Sequence, residues 1–253
     1  MELAFFQSLT ILLIAYLAGM AAIVQIKQDT SIANFVWGGG ALLVALYTFF
    51  MHGLYLPRHC IITFLTFLWA TRLGLYVYLR YKGTDPRYQA WKHKGLYALL
   101  VNVAYIFGLQ ALLLVIMSVP AAMINLSTIA GLTGLDYAGI GLWIIGYYFE
   151  AVSDYQLFKF TSDPANKGKV MRYGLWRYSR HPNYFGEVVM WWAIFMIALS
   201  VPYGMYALIA PVTITFLLLF VTGIPWVEHA MDDNAEYQEY KKHTSIFIPW
   251  FPR

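Results

Sequence analysis

The chain has 253 residues, of which 60% are hydrophobic and 12% charged, with 17 Lys and Arg against 13 Asp and Glu. Soluble domains carry about 25% charged residues, so this composition excludes an ordinary water-soluble globule and turns most of the surface toward lipid. One cysteine, Cys60, excludes an intrachain disulfide and a cysteine metal site.

Apolar runs recur along the chain, each about 20 residues long and sufficient for a hydrocarbon core of about 30 Å. They predict an all-α, polytopic integral membrane protein with seven transmembrane helices near residues 3–24, 33–51, 60–79, 97–124, 137–158, 185–202 and 204–225. The first run lacks a basic leader and a small-residue cleavage site, so it reads as a retained span rather than a signal peptide. Short cytoplasmic loops are enriched in Lys and Arg. The connections after the third and fifth spans hold Arg80, Lys82, Arg87, Lys92 and Lys94, and Lys159, Lys167, Lys169, Arg172, Arg177 and Arg180, whereas those after the fourth and sixth carry none. This places the N-terminus outside and the C-terminus in the cytoplasm, with Arg58 after the second span as the dissenter.

On the third span Arg72 and Tyr76 share a face and Tyr78 points elsewhere. For both tyrosines the alternatives are an interfacial anchor and a chemical role. Asp85-Pro86-Arg87-Tyr88 in the following loop is either a turn or a place where the Arg87 fork reaches a phosphate. On the fifth span Glu150 and Asp154 stand four apart on one helical face. Ionisable groups inside a span are costly in lipid and normally face the bundle interior, in a functional site or a buried ion pair; Asp154 lies nearer the cytoplasmic end and is the stronger site candidate. Gly38-Gly39-Gly40 and Gly139-Ile140-Gly141 are preceded by no strand and read as places of close helix approach rather than nucleotide loops. The histidines have no ligand-like spacing, so no metal is expected.

The run GLWRYSRHPNYFGE at residues 174–187 is polar, basic and aromatic, and it stands directly before the sixth span. Pro182 at a helix start loses no hydrogen bond, and the free amides there, with Arg180 and His181, are suited to an anion. Donors, an amide, rings and the carboxylates of the fifth span together suit a ligand with phosphates, ribose hydroxyls and a flat ring, such as a nucleotide cofactor. The closing stretch, residues 228–253, alternates acidic and basic residues and ends in Ile248-Pro249-Trp250-Phe251-Pro252, a short amphipathic helix followed by an interfacial aromatic segment. Three cytoplasmic pieces thus converge on one face.

The run 174–187, preceded by Glu150-xxx-Asp154-Tyr155-Gln156 and followed by Glu236-Tyr237-Gln238-Glu239-Tyr240-Lys241-Lys242 and Ile248-Pro249-Trp250, resembles the bacterial branch of the steroid 5-alpha-reductase family. The resemblance covers most of the chain and implies a single membrane-embedded reductase domain, residues 1–253. NADPH would be held mainly by residues 137–253 and a lipophilic 3-oxo-Δ4-steroid mainly by residues 1–100. Carried over by resemblance, Asp154, Asn183, Glu187 and Tyr240 fall on cofactor-binding positions; Arg172, Arg180, His181, Tyr184 and Lys159 are added from charge and proximity. In the vertebrate members a glutamate of the second span and a tyrosine of the third approach the ketone. Here Tyr76 and Tyr78 are the counterparts of the tyrosine, with the register between them open. The second span contains no Asp or Glu and offers Asn34, Trp37, Tyr47 and His52 instead, which leaves another enone or a fatty-acyl compound open as substrate.

The order Arg-His-Pro-x-Tyr-x-Gly also resembles the isoprenylcysteine carboxyl methyltransferases, membrane enzymes that use S-adenosylmethionine. Asp154-Tyr155-Gln156, Asp85-Pro86-Arg87-Tyr88 and Asn183-xx-Gly186-Glu187 favour the reductase. A lipid- or sterol-binding protein that has lost the reaction is the third reading. The expected partners are a lipophilic small molecule entering from the bilayer and membrane lipids, with no nucleic acid and no obligate protein partner. The expected location is a bacterial inner membrane, or the endoplasmic reticulum of a eukaryote, with the site facing the cytoplasm.

Overall fold

A computed structural model describes residues 2–27, 33–52, 54–80 and 96–252. Among them the regular structure is all helical. The chain divides into two compact units, Met1–Gly131 and Leu132–Arg253.

The first unit holds α1 (Glu2–Lys27), α2 (Ala33–His52), α3 (Pro57–Arg80) and α4 (Leu96–Asn125). These bounds follow the expected apolar runs to within a few residues. Helix α2 packs against both α3 and α4, burying Ala41, Val44 and Ala45 with Ile62, Leu65 and Trp69 of α3 and Leu114, Met117 and Ile124 of α4. The triple glycine allows this closeness: a Cβ on Gly40 would run into the Leu114 side chain, and one on Gly39 would lie 2.7 Å from the Tyr16 hydroxyl. The α2–α4 contact is sealed by Asn125, fully buried, whose amide nitrogen donates to Ala45 O at 2.9 Å and reaches Thr48 Oγ1 and Thr63 Oγ1, each at 3.1 Å. Arg58, only 1% exposed, donates to Ile129 O at 3.1 Å and Gly131 O at 2.7 Å. Its charge is engaged by the loop after α4, which explains why it dissents from the loop-charge pattern.

The second unit opens with α5 (Gly134–Ser162). Asp136 fixes its start by accepting from the backbone and hydroxyl of Thr133 at 2.6 and 2.9 Å. After 3-10 turns at Pro164–Asn166 and Gly174–Arg177 comes α6 (Pro182–Ala198), started by a proline that needs no partner for its nitrogen. A 3-10 turn, Gly204–Leu208, leads into α7 (Ile209–Phe216), which loosens into a π turn over Leu217–Val221. The short helices α8 (Ile224–Ala230) and α9 (Ala235–His243) follow, and the chain ends in an extended tail.

Helices α5 and α6 run antiparallel in close contact. Buried Gly139, Trp143, Gly146, Glu150 and Ser153 repeat at alternating four- and three-residue steps along α5, the spacing of a coiled-coil seam. A Cβ on Gly139 would lie 2.9 Å from Ala193 O, one on Gly146 2.8 Å from Gly186 O, and one on Gly186 2.5 Å from Glu150 N and Gly146 O. Small residues thus bring the backbones together and carry Glu150 and Asp154 into the seam rather than out to lipid.

Among the described residues three stretches are long and apolar enough to cross a bilayer, namely Pro57–Leu79, Gly108–Asn125 and Gly204–Ala230, while Ala4–Met20 and Gly38–Met51 are shorter apolar helices. These are marks of an integral membrane protein. Helix α5 reads as less apolar because it carries Glu150, Asp154 and Lys159, and α6 has 17 residues.

Candidate functional site

Asp154 and Glu150 are both buried, at 5% exposure each, and Glu187 on α6 at 8%. The Asn183 amide nitrogen, one turn before Glu187, donates to Asp154 Oδ1 at 3.2 Å, and Asn183 Oδ1 is buried with no hydrogen-bond partner among the described residues. Glu187 Oε1 accepts from Trp191 Nε1 at 2.8 Å, the next residue along the same helical face. Three of the expected cofactor residues, Asp154, Asn183 and Glu187, therefore share the α5–α6 seam. A buried amide oxygen without a partner is costly and is the kind of group a ligand donor completes.

The loop before α6 is held on both sides. Gly174 adopts φ +60, where a Cβ would also collide with the Gln156 amide. That same Gln156 accepts from Leu175 N at 3.0 Å, and Trp176 Nε1 donates to Ser153 O at 3.0 Å. On the other side lies the tail: Arg180 N donates to Ser245 O at 2.8 Å, Ser179 Oγ to Phe247 O at 2.7 Å, and Trp250 N to Tyr178 O at 2.9 Å. Tyr240, 6% exposed, donates its hydroxyl to Trp176 O and reaches Ser179 O at 3.2 Å. In this structure Tyr240 braces the loop from beneath.

Arg180 and His181 meet an anion that belongs to the chain itself. Arg180 Nη1 lies 2.9 Å from Glu228 Oε2 and His181 Nε2 3.0 Å from Glu228 Oε1. The same carboxylate accepts from the Tyr237 hydroxyl at 2.6 Å and pairs with Lys241 Nζ at 3.2 Å. Burial holds the His181 imidazole below its ordinary range, and the Glu228 hydrogen bond pulls it partly back. Burial also raises the Tyr237 and Tyr240 hydroxyls well above the tyrosine range, with Glu228 adding to the shift of each. The His181 ring stacks on that of Tyr184, 5.4 Å between centroids and 2° from parallel. Glu228, Trp191 and Tyr237 are not among the residues expected from sequence. A glutamate at the end of an apolar run was the available signal for the first, and spacing of four from Glu187 for the second.

Lys159 is exposed in the last turn of α5, where its charge offsets the helix's carbonyl end. Arg172 is exposed and 3.7 Å from Glu236 Oε1. Tyr76 and Tyr78 belong to α3 of the first unit, Tyr76 half-buried and Tyr78 73% exposed. Asp85-Pro86-Arg87-Tyr88 lies outside the described residues.

A buried seam of carboxylates and an amide, with a stacked ring pair next to it in sequence, can accept hydrogen bonds from hydroxyls and a carboxamide. Comparison with known proteins places the chain: the family described as "Protein of unknown function (DUF1295)" matches over residues 20–244. The chain belongs to this family. The chain is also similar in part to 3-oxo-5-alpha-steroid 4-dehydrogenase 1. The Bos taurus protein is 30% identical over 112 residues, and the Homo sapiens protein 31% identical over 113, each alignment covering 44% of this chain and 40% of the relative. The chain therefore spans less than half the length of these curated relatives. No solved structure matches it.

Proposed function

We propose that this DUF1295 protein is a membrane-embedded reductase that takes NADPH and reduces the C4–C5 double bond of a 3-oxo-Δ4-steroid or a similar lipophilic enone. The observation that carries the reading is the Asp154–Asn183 pair beside buried Glu187, with Asn183 Oδ1 buried and without a partner among the described residues. Asn183 Oδ1 suits a carboxamide or hydroxyl donor, the carboxylates suit ribose hydroxyls, and exposed Arg172 and Lys159 suit phosphates. The partial similarity to 3-oxo-5-alpha-steroid 4-dehydrogenases supports the same reaction class.

When bound, NADPH would supply a hydride to the enone β-carbon, and a proton from water would complete the reduction at the α-carbon. As charge builds on the ketone oxygen, a hydroxyl donor aimed at it lowers the barrier by about 3 kcal/mol. Tyr76 is our choice of donor over Tyr78, because it is half-buried while Tyr78 is largely exposed. In this reading the chain is a bacterial-type member of the reductase group with seven spans, N-terminus outside and C-terminus cytoplasmic. It takes a lipophilic substrate from the bilayer.

The alternative is an S-adenosylmethionine-dependent methyltransferase, which the Arg180-His181-Pro182 order also resembles. Binding of NADPH, NADH and S-adenosylmethionine to the detergent-purified chain separates the two, followed by turnover of progesterone by the NADPH-bound protein. NADPH binding with loss of the enone is expected, and Asn183→Ala is expected to weaken that binding about tenfold or more, by leaving the ligand donor unmatched. Binding of S-adenosylmethionine without NADPH would overturn the proposal.

A further inference from the structure

Between residues 174–181 and the C-terminal part of the chain runs a set of bonds that the proposed chemistry does not use. The tail lies along the loop through Arg180 N to Ser245 O, Ser179 Oγ to Phe247 O and Trp250 N to Tyr178 O. At the centre stands Glu228, 13% exposed at its side chain, in contact with Arg180, His181, Tyr237 and Lys241. The chain path is built for this meeting. The π turn at Leu217–Val221 ends α7, a Cβ on Gly223 would collide with Leu218 O, and Pro225 restarts the helix that carries Glu228.

Arg180 and His181 are 8% and 2% exposed, and both are engaged by Glu228. Two cations, Arg180 and Lys241, thus surround one carboxylate in a poorly solvated place. Glu228 engages the Arg180 guanidinium through Nη1 at 2.9 Å. The residues next in sequence carry the proposed cofactor contacts: Asn183 and Glu187 on the first turns of α6, and Tyr184 stacked on His181.

We infer that Glu228 is the positioning residue of the cofactor site: by binding Arg180 and His181 it locks the tail over residues 174–181 and fixes the amino end of α6, so that Asn183, Tyr184 and Glu187 are presented in one arrangement. Arg180 and His181 are then parts of this lock rather than phosphate ligands. The inference rests on the NADPH reading for its functional side and on the tail contacts alone for its structural side.

The test uses the full chain in detergent and two measurements. The first is amide hydrogen exchange over peptides covering 176–181 and 244–251, made without any cofactor. The second is KM for NADPH against kcat with progesterone. In Glu228→Gln the amides of Arg180 and Trp250 exchange faster, KM rises about tenfold or more, and kcat at saturating NADPH changes less than about threefold. Tyr237→Phe, which keeps every charge, gives a smaller change in the same direction. Unchanged exchange in Glu228→Gln, or a fall in kcat with KM unmoved, overturns the inference.

If Glu228→Gln loses helicity, the double variant Arg180→Met with Glu228→Leu removes that ion pair, while Lys241 keeps Asp232 Oδ1 at 3.3 Å. Persistently weak NADPH binding in that folded variant supports a positioning role, and wild-type binding refutes it. Should the wild-type chain bind no NADPH, the reductase reading fails, and the exchange comparison still decides whether Glu228 locks the tail.

Discussion

Gly186 is the point at which α5 and α6 come closest beneath the proposed cofactor contacts, and Gly186→Ala tests whether that closeness builds the site. The added Cβ would stand 2.5 Å from both Glu150 N and Gly146 O and 2.8 Å from Glu150 Cβ. Ordinary van der Waals contact begins at 3.4 Å, so the helices must separate locally by about 0.9 Å (3.4 − 2.5). The obstructing atoms are backbone, which no rotamer change can move aside. Overpacking of this kind costs about 1–3 kcal/mol. The same shift stretches the Asn183 to Asp154 bond, already 3.2 Å long, beyond hydrogen-bonding range. Gly141→Ala is the control: it lies on the partner helix α5, is exposed, and has nothing within 4 Å of an added Cβ, so it is expected to be neutral or stabilising by up to about 1 kcal/mol. Thermal melting in detergent and NADPH titration of the two variants give the answer. A Gly186→Ala protein that melts and binds like wild type would refute both the tight seam and its role in the site.

Other consequences are open to direct measurement. Burial lowers the His181 pKa from its ordinary 6.5, so between that value and the lower folded one the unfolded chain binds more protons than the folded chain. The His181 contribution to stability is therefore complete above about pH 6.5 and is lost as pH falls below it. The groups facing His181 are Glu228 and Arg180, with Tyr184 stacked on its ring. Melting temperature followed from about pH 7 to about pH 5 should show this loss in wild type and a shallower slope in His181→Asn; equal slopes would refute it. Tyr240→Phe removes a buried hydroxyl from Trp176 O and Ser179 O and should cost about 1–3 kcal/mol by leaving carbonyls unmatched, read as a lowered melting temperature. A variant as stable as wild type would show that the tyrosine does not brace the loop.

The sequence by itself determined the all-helical class, the first six helices to within a few residues and the polar face of α5, whereas the expected seventh helix divides into a 3-10 turn, α7, a π turn and α8. Apolar periodicity and the proline at 182 act through neighbours a few residues away, so they can be read locally. Glu150 and Asp154, four apart, already share a face, and lipid leaves such a face no direction but inward. The gathering of Asp154, Asn183 and Glu187 was legible through resemblance, and tertiary packing supplied the reason: Gly146 and Gly186 bring two backbones close enough for a short amide to reach a carboxylate. The partner of Arg180 and His181 was decided only by the tertiary structure. With 17 Lys and Arg and 13 Asp and Glu, sequence permits many charge pairings of similar merit. Glu228 lies 48 residues from Arg180, and the selection is made by the π turn, Gly223 and Pro225, which set the path of the chain between them. Tyr240 likewise reads as a ligand contact through resemblance, and only packing turns its hydroxyl to the carbonyls of the loop. Charge and hydrogen-bonding capacity are properties of residues, but which groups meet is a property of the path the backbone takes.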